Sequence, residues 1–281
     1  MLPIIDTHFH VYDYTEALNA GLLSAAPLQK NFTMADYRQA MTDLPLSTAI
    51  GVQVHSSDDG LPELDFMRSV AAGDPLMSGY IAWLPVDDPD CADLIDAFGA
   101  DPFVVGIRYS EVVDAEGTIG RLDEGIRGAR HLARAGLVYD ISVRPRQYEA
   151  LAILAGEADE TRFVLGHMGK PDMQADEPEW RKGLERLARV PNIVCKMSAH
   201  VLTPEDGPYC REKVVQRIRH AYQCFGPERI VFGSNYPTCL ISTSISEWCD
   251  ILNEALSDCS EGDLSLLYSG NARSIYNLIV R

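Results

Sequence analysis

Eight short hydrophobic runs recur along the chain, and no other property of the sequence limits the choice of fold as strongly. Each run is rich in Val, Ile or aromatic residues, and longer amphipathic segments separate the runs. The eight runs are Pro3–His8, Ser47–His55, Ser78–Leu84, Val104–Arg108, Leu137–Val143, Arg162–Gly166, Asn192–Met197 and Arg229–Gly233. This alternation predicts parallel strands joined by crossover helices.

The segments between and after the runs have the apolar spacing of amphipathic helices. They are Met34–Leu44, Leu61–Ala72, Asp90–Gly99, Arg121–Ala135, Arg146–Gly156, Glu177–Ala188, Arg211–Phe225, Ser244–Leu256, Gly262–Tyr268 and Asn271–Leu278. No Gly-x-Gly-x-x-Gly sequence follows a run, which counts against a doubly wound dinucleotide-binding fold. We therefore predict one α/β domain over residues 1–281, a single (β/α)8 TIM barrel.

The composition limits which molecules the protein can bind and in which cellular compartment we expect it. A net charge of -17 opposes binding to a nucleic-acid backbone, but a small anionic substrate can still bind if local Arg and Lys groups hold it. No stretch approaches the ~20 apolar residues of a membrane helix, and the first residues show no secretion signal. The seven cysteines are scattered without a Cys-x-x-Cys pair, which indicates reduced thiols. We expect a cytoplasmic protein with no nucleic-acid or membrane partner, and a homo-oligomer remains open.

Histidines concentrate at the predicted strand ends, where (β/α)8 barrels carry their catalytic residues. Five of the seven lie at or just past the ends of predicted strands: His8, His10, His55, His167 and, slightly further out, His200. The other two lie inside predicted helices. The histidines therefore predict an active site at the C-terminal ends of the strands.

His8 and His10 are two residues apart on the first strand, so their side chains should share a face. Paired imidazoles can bind a divalent metal or donate hydrogen bonds to a substrate carbonyl. Two purely structural histidines are the alternative. After the sixth strand, His167 is placed to act as a third metal ligand or carbonyl contact, and Lys170 as a positive charge for a carboxylate.

Five segments, spread in order over nearly the whole chain, resemble a known family. They are Ile5–His10, Val105–Arg108, Gly166–Pro171, Val194–Ser198 and Phe232–Pro237. Together they are similar to the amidohydrolase superfamily, in its amidohydrolase-related (amidohydrolase 2) branch of sugar lactonases and 2-pyrone-4,6-dicarboxylate lactonase. The resemblance implies a barrel enzyme that hydrolyses the ester of a small, often carboxylated lactone.

The resemblance also implies roles for single residues. His8, His10 and His167 would contact the substrate carbonyl or a metal, while Arg108 and Lys170 would bind substrate oxygens.

Two further residues are candidates for substrate binding by their position. His55 ends the second predicted strand, and Tyr236 follows the eighth. Tyr12, Trp83 and Tyr109 also lie near strand ends, where packing is the more common role of an aromatic side chain.

The chain departs from the family pattern at Asn235, where the resemblance implies an Asp that activates water. An amide can orient a water molecule but cannot accept its proton. Three explanations are open: another base such as His55, His167 or His200, an engineered Asp-to-Asn form, or chemistry that needs no activated water. The alternatives to a lactonase are therefore a decarboxylase or isomerase on the same scaffold, an impaired enzyme, or a non-enzymatic barrel that binds a small acid.

The presence of Asn235 in place of an Asp also affects the expected cofactor. Three neutral histidines can hold Zn²⁺ with an open position, but replacing a carboxylate by an amide removes a charged ligand. We expect no required cofactor, and Zn²⁺ or another divalent metal at His8, His10 and His167 is the alternative.

Overall fold

Within the residues that the computed structural model describes (2–14, 25–54, 61–114, 117–171, 178–199 and 210–278), eight parallel strands lie side by side in chain order. They are β1 (Ile4–Phe9), β2 (Leu46–Val52), β3 (Met77–Trp83), β4 (Val104–Arg108), β5 (Val138–Ile141), β6 (Phe163–Leu165), β7 (Ile193–Ser198) and β8 (Ile230–Gly233). All eight predicted strands are present. The largest difference is in β2, which ends at Val52, whereas the prediction extended it to His55, a residue outside the described ranges.

The first and last strands meet, so that the sheet curls into a barrel. The Thr7 hydroxyl donates to the Phe232 carbonyl at 2.7 Å. Just past β8, the Asn235 amide nitrogen donates to the His8 carbonyl at 2.8 Å. A parallel bridge also joins Phe9 to Tyr236. The predicted (β/α)8 barrel is confirmed.

Ten α-helices, counted in the described ranges, follow or flank the strands. They are α1 (Met34–Ala40), α2 (Leu61–Gly73), α3 (Ala92–Ala100), α4 (Leu122–Arg134), α5 (Tyr148–Glu157), α6 (Pro178–Leu187), α7 (Arg211–Phe225), α8 (Ile245–Ala255), α9 (Glu261–Ser265) and α10 (Asn271–Ile275). Helix α3 starts after a 3₁₀ turn at Pro89–Cys91, and a π-helical turn at Leu266–Gly270 joins α9 to α10. None of these helices is both long and apolar enough to cross a membrane.

Local sequence signals explain where some helices begin. Thr33 precedes α1, and its hydroxyl accepts a hydrogen bond from the Asp36 amide while the Asp36 carboxylate accepts one from the Thr33 amide. This reciprocal capping box satisfies two amide groups that the first helical turn leaves unpaired. Ser260 forms the same reciprocal box with Asp263 at the start of α9, and the Ser244 hydroxyl accepts a hydrogen bond from the Glu247 amide at the start of α8.

Apolar side chains from all eight strands fill the barrel interior toward the N-terminal ends of the strands. They are Ile5, Ile50, Val52, Ile81, Val105, Val138, Val164, Val194 and Val231. Ala272, Ile275 and Tyr276 from the C-terminal helix α10 and the residue after it pack against this layer. Because this end is filled, the polar side chains of the interior concentrate toward the C-terminal ends of the strands.

Candidate functional site

His8 and His10 lie at the end of β1 with their ring nitrogens in contact. Their Nε2 atoms are 3.2 Å apart, and both side chains are buried. The register between β1 and β2 shifts between Asp6 and Phe9. The Asp6 carboxylate fixes this irregular segment, because it accepts hydrogen bonds from the amides of His8 at 3.0 Å and Ser234 at 2.9 Å. The predicted shared face of the two histidines is confirmed.

The hydrogen bonds around this pair indicate where its protons reside. His10 Nδ1 lies 2.6 Å from the Val52 carbonyl oxygen. A carbonyl only accepts, so His10 Nδ1 carries the proton and His10 Nε2 keeps its lone pair. His8 Nε2–H can then donate to His10 Nε2. The other ring nitrogen of His8, Nδ1, is buried with no hydrogen-bond partner in the described structure.

Burial keeps both imidazoles neutral. It lowers the pKa of His10 to about 4, with a further contribution from the charge of Arg108. Burial also lowers the pKa of His8 well below its ordinary value, and the nearby charge of Lys196 acts in the same direction. At neutral pH, both rings are therefore uncharged, and each can offer one N–H donor and one lone pair.

The chain after β6 forms a left-handed turn. The φ angles are 53° at His167, 50° at Met168, 72° at Gly169 and 54° at Lys170. For a residue with a Cβ atom, this conformation costs roughly 1–2 kcal/mol. Several such residues in succession persist only where their surroundings hold them, and such strain is typical of functional sites.

Side chains from α5 and α6 hold this turn. Trp180 Nε1 donates to the Met168 carbonyl at 2.9 Å, and the Tyr148 hydroxyl donates to the Gly169 carbonyl at 2.6 Å. A Cβ atom at Gly169 would lie 2.0 Å from the Tyr148 hydroxyl. Glycine is thus required here by both the backbone angle and the close contact.

The turn brings His167 against the pair on β1. The ring centroids of His167 and His8 are 4.7 Å apart, and those of His8 and His10 are 5.0 Å apart. His167 Nδ1 also lies 2.9 Å from the hydroxyl oxygen of Ser198, at the end of β7. The predicted convergence of three imidazoles from the first and sixth strands is therefore confirmed.

Asn235 lies beside this cluster in a left-handed conformation, with φ of 57°. Asn adopts this region more readily than most residues. Its side-chain nitrogen Nδ2 donates to the Ala199 carbonyl at 2.8 Å. A carboxylate could not make this bond, so the amide has a specific partner in the fold.

A buried ion pair lies inside the barrel near the histidines. Lys196 Nζ is 2.6 Å from Asp140 Oδ2, it also donates to the Thr7 carbonyl at 3.0 Å, and both charged side chains are almost fully buried. Burial lowers the pKa of Lys196, while Asp140 opposes this change. Sequence reasoning did not identify this pair. Their inward positions on β5 and β7 were the available signal.

Three cations lie at the ends of consecutive strands β4, β5 and β6. Arg108 ends β4 and donates to the Gln53 carbonyl at 2.9 Å, Arg144 follows β5 and Lys170 follows β6. Burial, together with the charges of Arg108 and Arg144, lowers the pKa of Lys170 to about 8. No ion pair joins the three to a carboxylate within the described ranges. Sequence reasoning named Arg108 and Lys170 but missed Arg144.

Tyr236, His55 and His200 are the remaining candidates for the site. Tyr236 is buried, and its ring packs against Phe32 and Tyr37 with centroid distances of 5.7 and 5.3 Å, so that it belongs to an aromatic wall. A substrate contact by Tyr236 stays a prediction. His55 and His200 lie outside the described residues.

The surroundings of the predicted metal set of His8, His10 and His167 give this set only partial support. A metal-binding histidine nearly always donates its second N–H to an acceptor. His10 has this support from Val52, but His8 Nδ1 has no acceptor among the described residues. Nor do these residues contain any group of three or more His, Cys, Asp or Glu side chains arranged to hold a metal.

Comparisons with known proteins agree with this architecture. The family model described as Amidohydrolase matches residues 5–278. An L-fucono-1,5-lactonase from Burkholderia multivorans is 26% identical over 98% of this chain and 96% of its own length. A crystal structure of an amidohydrolase from Burkholderia multivorans with bound zinc is 25% identical, covers 98% of this chain and 99% of its own, and has a TM-score of 0.85.

A third similarity extends only to the fold. A probable 2-pyrone-4,6-dicarboxylic acid hydrolase from Acinetobacter baumannii, with citric acid bound, is 16% identical with a TM-score of 0.73, covering 98% of this chain and 99% of its own. The barrel, the histidine cluster at its C-terminal end and the family model that spans nearly the whole chain lead to one assignment. This chain belongs to the amidohydrolase family and is a hydrolase.

Proposed function

We propose that this enzyme opens a small lactone that carries an anionic group. In the reaction, the oxygen of water bonds to the acyl carbon, the ring C–O bond breaks, and one proton of the water is transferred to the ring oxygen, which leaves a hydroxy acid. The observation that carries the proposal is the cluster of His8, His10 and His167 at the C-terminal end of the barrel. The similarity to an L-fucono-1,5-lactonase over nearly the whole chain supports the same reaction class.

The cluster supplies what the carbonyl of a lactone needs. Negative charge develops on the carbonyl oxygen as water adds, and preorganised N–H donors stabilise it. The ring of His167 can offer such a donor, His8 packs against that ring, and the ammonium of Lys196 adds positive charge nearby. Because the rings are buried, these interactions are stronger than they would be in water.

Arg108, Arg144 and Lys170 would bind the anionic group of the substrate. The half-buried ammonium of Lys170, whose pKa is lowered by burial and by neighbouring cations, is stabilised when an anion enters. Arginine adds paired N–H donors that match the two oxygens of a carboxylate. With a net charge of -17, the rest of the molecule repels anions, so these local cations must hold the substrate against that field.

Asn235 would orient the substrate or a water molecule and would not accept a proton. Its Nδ2 group is bonded to the Ala199 carbonyl, which leaves Oδ1 as the side-chain acceptor. We also propose that catalysis needs no divalent metal, because His8 Nδ1 has no acceptor among the described residues that would support His8 as a ligand.

A panel of lactones tests the proposal. Acid release from neutral and carboxylated five- and six-membered lactones is followed with a pH indicator, for the wild type and for His8→Ala, His167→Ala and His131→Ala. His131 is the matched control, since it lies on α4 and contacts Asp96. We expect the wild type and His131→Ala to prefer carboxylated lactones, and the other two variants to lose turnover while remaining folded. No turnover of any lactone by the wild type, or full activity of both site variants, would contradict the proposal.

A further inference from the structure

Ser198 makes two contacts to a single histidine. It is the last residue of β7 and fully buried. The His167 amide nitrogen lies 3.2 Å from the Ser198 hydroxyl oxygen, and His167 Nδ1 lies 2.9 Å from the same oxygen. Backbone and ring of His167 are therefore tied to one hydroxyl group on the neighbouring strand.

The hydrogen atoms in these two contacts can be assigned by counting donors and acceptors. The backbone N–H can only donate, so it occupies a lone pair of the Ser198 oxygen. The hydroxyl hydrogen then needs an acceptor, and among the described residues His167 Nδ1 is the available one. If Nδ1 carried a proton instead, the hydroxyl hydrogen would be buried without an acceptor, which proteins avoid.

We propose that Ser198 is a positioning residue that holds His167 in the tautomer protonated on Nε2. His167 then presents an N–H donor from Nε2, and its other nitrogen is occupied by the serine hydroxyl. This inference rests on the proposed function, in which that N–H would bond to the carbonyl oxygen of the lactone.

The contact of His10 with Val52 fixes the opposite tautomer in the His10 ring. Its Nδ1 donates to a carbonyl, so its Nε2 is an acceptor. The cluster therefore holds one ring fixed as a donor at Nε2 and one fixed as an acceptor at Nε2, each by a different neighbouring strand. Such fixed polarity avoids a reorganisation step when charge develops on the substrate.

The left-handed turn at His167 has a reason in this arrangement. The turn places the amide nitrogen and the Nδ1 atom of the same residue within reach of one hydroxyl group. The hydrogen bonds of Trp180 and Tyr148 to the next two carbonyls keep the turn in place. The strained backbone thus fixes the ring orientation as well as its position.

The tautomer is measured directly by NMR on the full-length protein labelled with ¹⁵N-histidine. Two-bond ¹H–¹⁵N correlations distinguish Nδ1–H from Nε2–H rings, and a spectrum of His167→Gln assigns the signals. We expect the Nε2–H pattern for His167 and the Nδ1–H pattern for His10 in the wild type. An Nδ1–H pattern for His167 would overturn the inference, whether or not a lactone is hydrolysed.

Variants separate this role from a merely structural one. Ser198→Ala should give His167 a mixture of tautomers and lower kcat about tenfold with little change in KM, while Ser198→Thr, which keeps the hydroxyl, should restore both. Ser142→Ala removes another buried serine hydroxyl, one without a partner in the described structure, and should leave the His167 signals unchanged. An unaltered His167 pattern in Ser198→Ala would contradict the inference. A wild type with the Nε2–H pattern but no lactonase activity would contradict the proposed function and leave the tautomer assignment supported.

Discussion

The side-chain nitrogen of Asn235 donates a hydrogen bond to the carbonyl oxygen of Ala199 at 2.8 Å. The backbone nitrogen of Asn235 bonds to the His8 carbonyl, so this residue links the ends of β7, β8 and β1. An aspartate in the same position would bring two oxygen acceptors together. The amide is therefore part of the fold, which favours a branch of the family adapted to asparagine over an impaired copy of an aspartate enzyme.

Asn235→Asp should consequently fail to raise lactonase activity and should destabilise the protein. Loss of the bond to Ala199 leaves a buried carbonyl unpaired, at a cost of about 1–3 kcal/mol. Urea unfolding and kcat/KM measure the two effects. Asn192→Asp is the matched control, because Asn192 Nδ2 also donates to backbone carbonyls but lies away from the histidines. It should lose stability and keep its activity per folded molecule. A more stable and more active Asn235→Asp enzyme would contradict this interpretation.

The stability of the protein should fall on acidification because His10 is buried as a neutral ring. Its pKa is lowered from 6.5 to about 4 in the folded protein, so the unfolded chain binds more protons between these values. The stabilisation is fully present above pH 6.5 and is lost as pH falls toward 4. At about 1.4 kcal/mol for each pKa unit, His10 should account for roughly 3 kcal/mol. Urea unfolding from pH 7 to pH 4 should show a smaller loss for His10→Gln than for the wild type. Parallel curves would rule out a buried neutral His10.

Substrate binding should weaken at alkaline pH for anionic lactones only. The Lys170 ammonium, with its pKa lowered to about 8, is charged below that pH and loses its charge above it. A carboxylated lactone should therefore show a rise in KM of about tenfold between pH 7 and pH 9, equivalent to ~1.4 kcal/mol, and a neutral lactone should not. Lys170→Arg should remove this alkaline dependence, and Lys182→Met on α6 serves as the control. The same alkaline rise for both lactones would mean that Lys170 does not bind the anion.

Gly169→Ala should disrupt the turn that carries His167. The new Cβ atom would lie 2.0 Å from the Tyr148 hydroxyl, in addition to the backbone strain at φ of 72°. Gly136→Ala is the matched control, because Gly136 has φ of 76° and open space around a Cβ atom. Backbone strain alone should cost the control roughly 1–2 kcal/mol, and Gly169→Ala should cost more and also lose activity. Equal losses of stability, measured by urea unfolding, would show that the contact is unimportant.

The sequence was sufficient for the barrel and for the two histidines on β1. The period of apolar residues defines strands and helices, and a spacing of two places His8 and His10 on one face. Contacts between strands could not be derived in this way. The pairing of Lys196 with Asp140 and of Ser198 with His167 depends on strand register and barrel closure, which no single segment encodes. The left-handed turn at His167 was also missed, because its residues carry no signal for that conformation apart from Gly169.

Hydrolysis in water enriched in ¹⁸O tests the central claim most directly. The carboxylated lactone turned over fastest by the wild type is incubated with enzyme, and the product is analysed by mass spectrometry. We predict one ¹⁸O atom in the carboxyl group of the hydroxy acid, formed at the enzymatic rate by the wild type and at the uncatalysed rate by His8→Ala. Turnover without ¹⁸O in the product, or loss of carbon dioxide from the substrate, would contradict lactone hydrolysis by the histidine cluster.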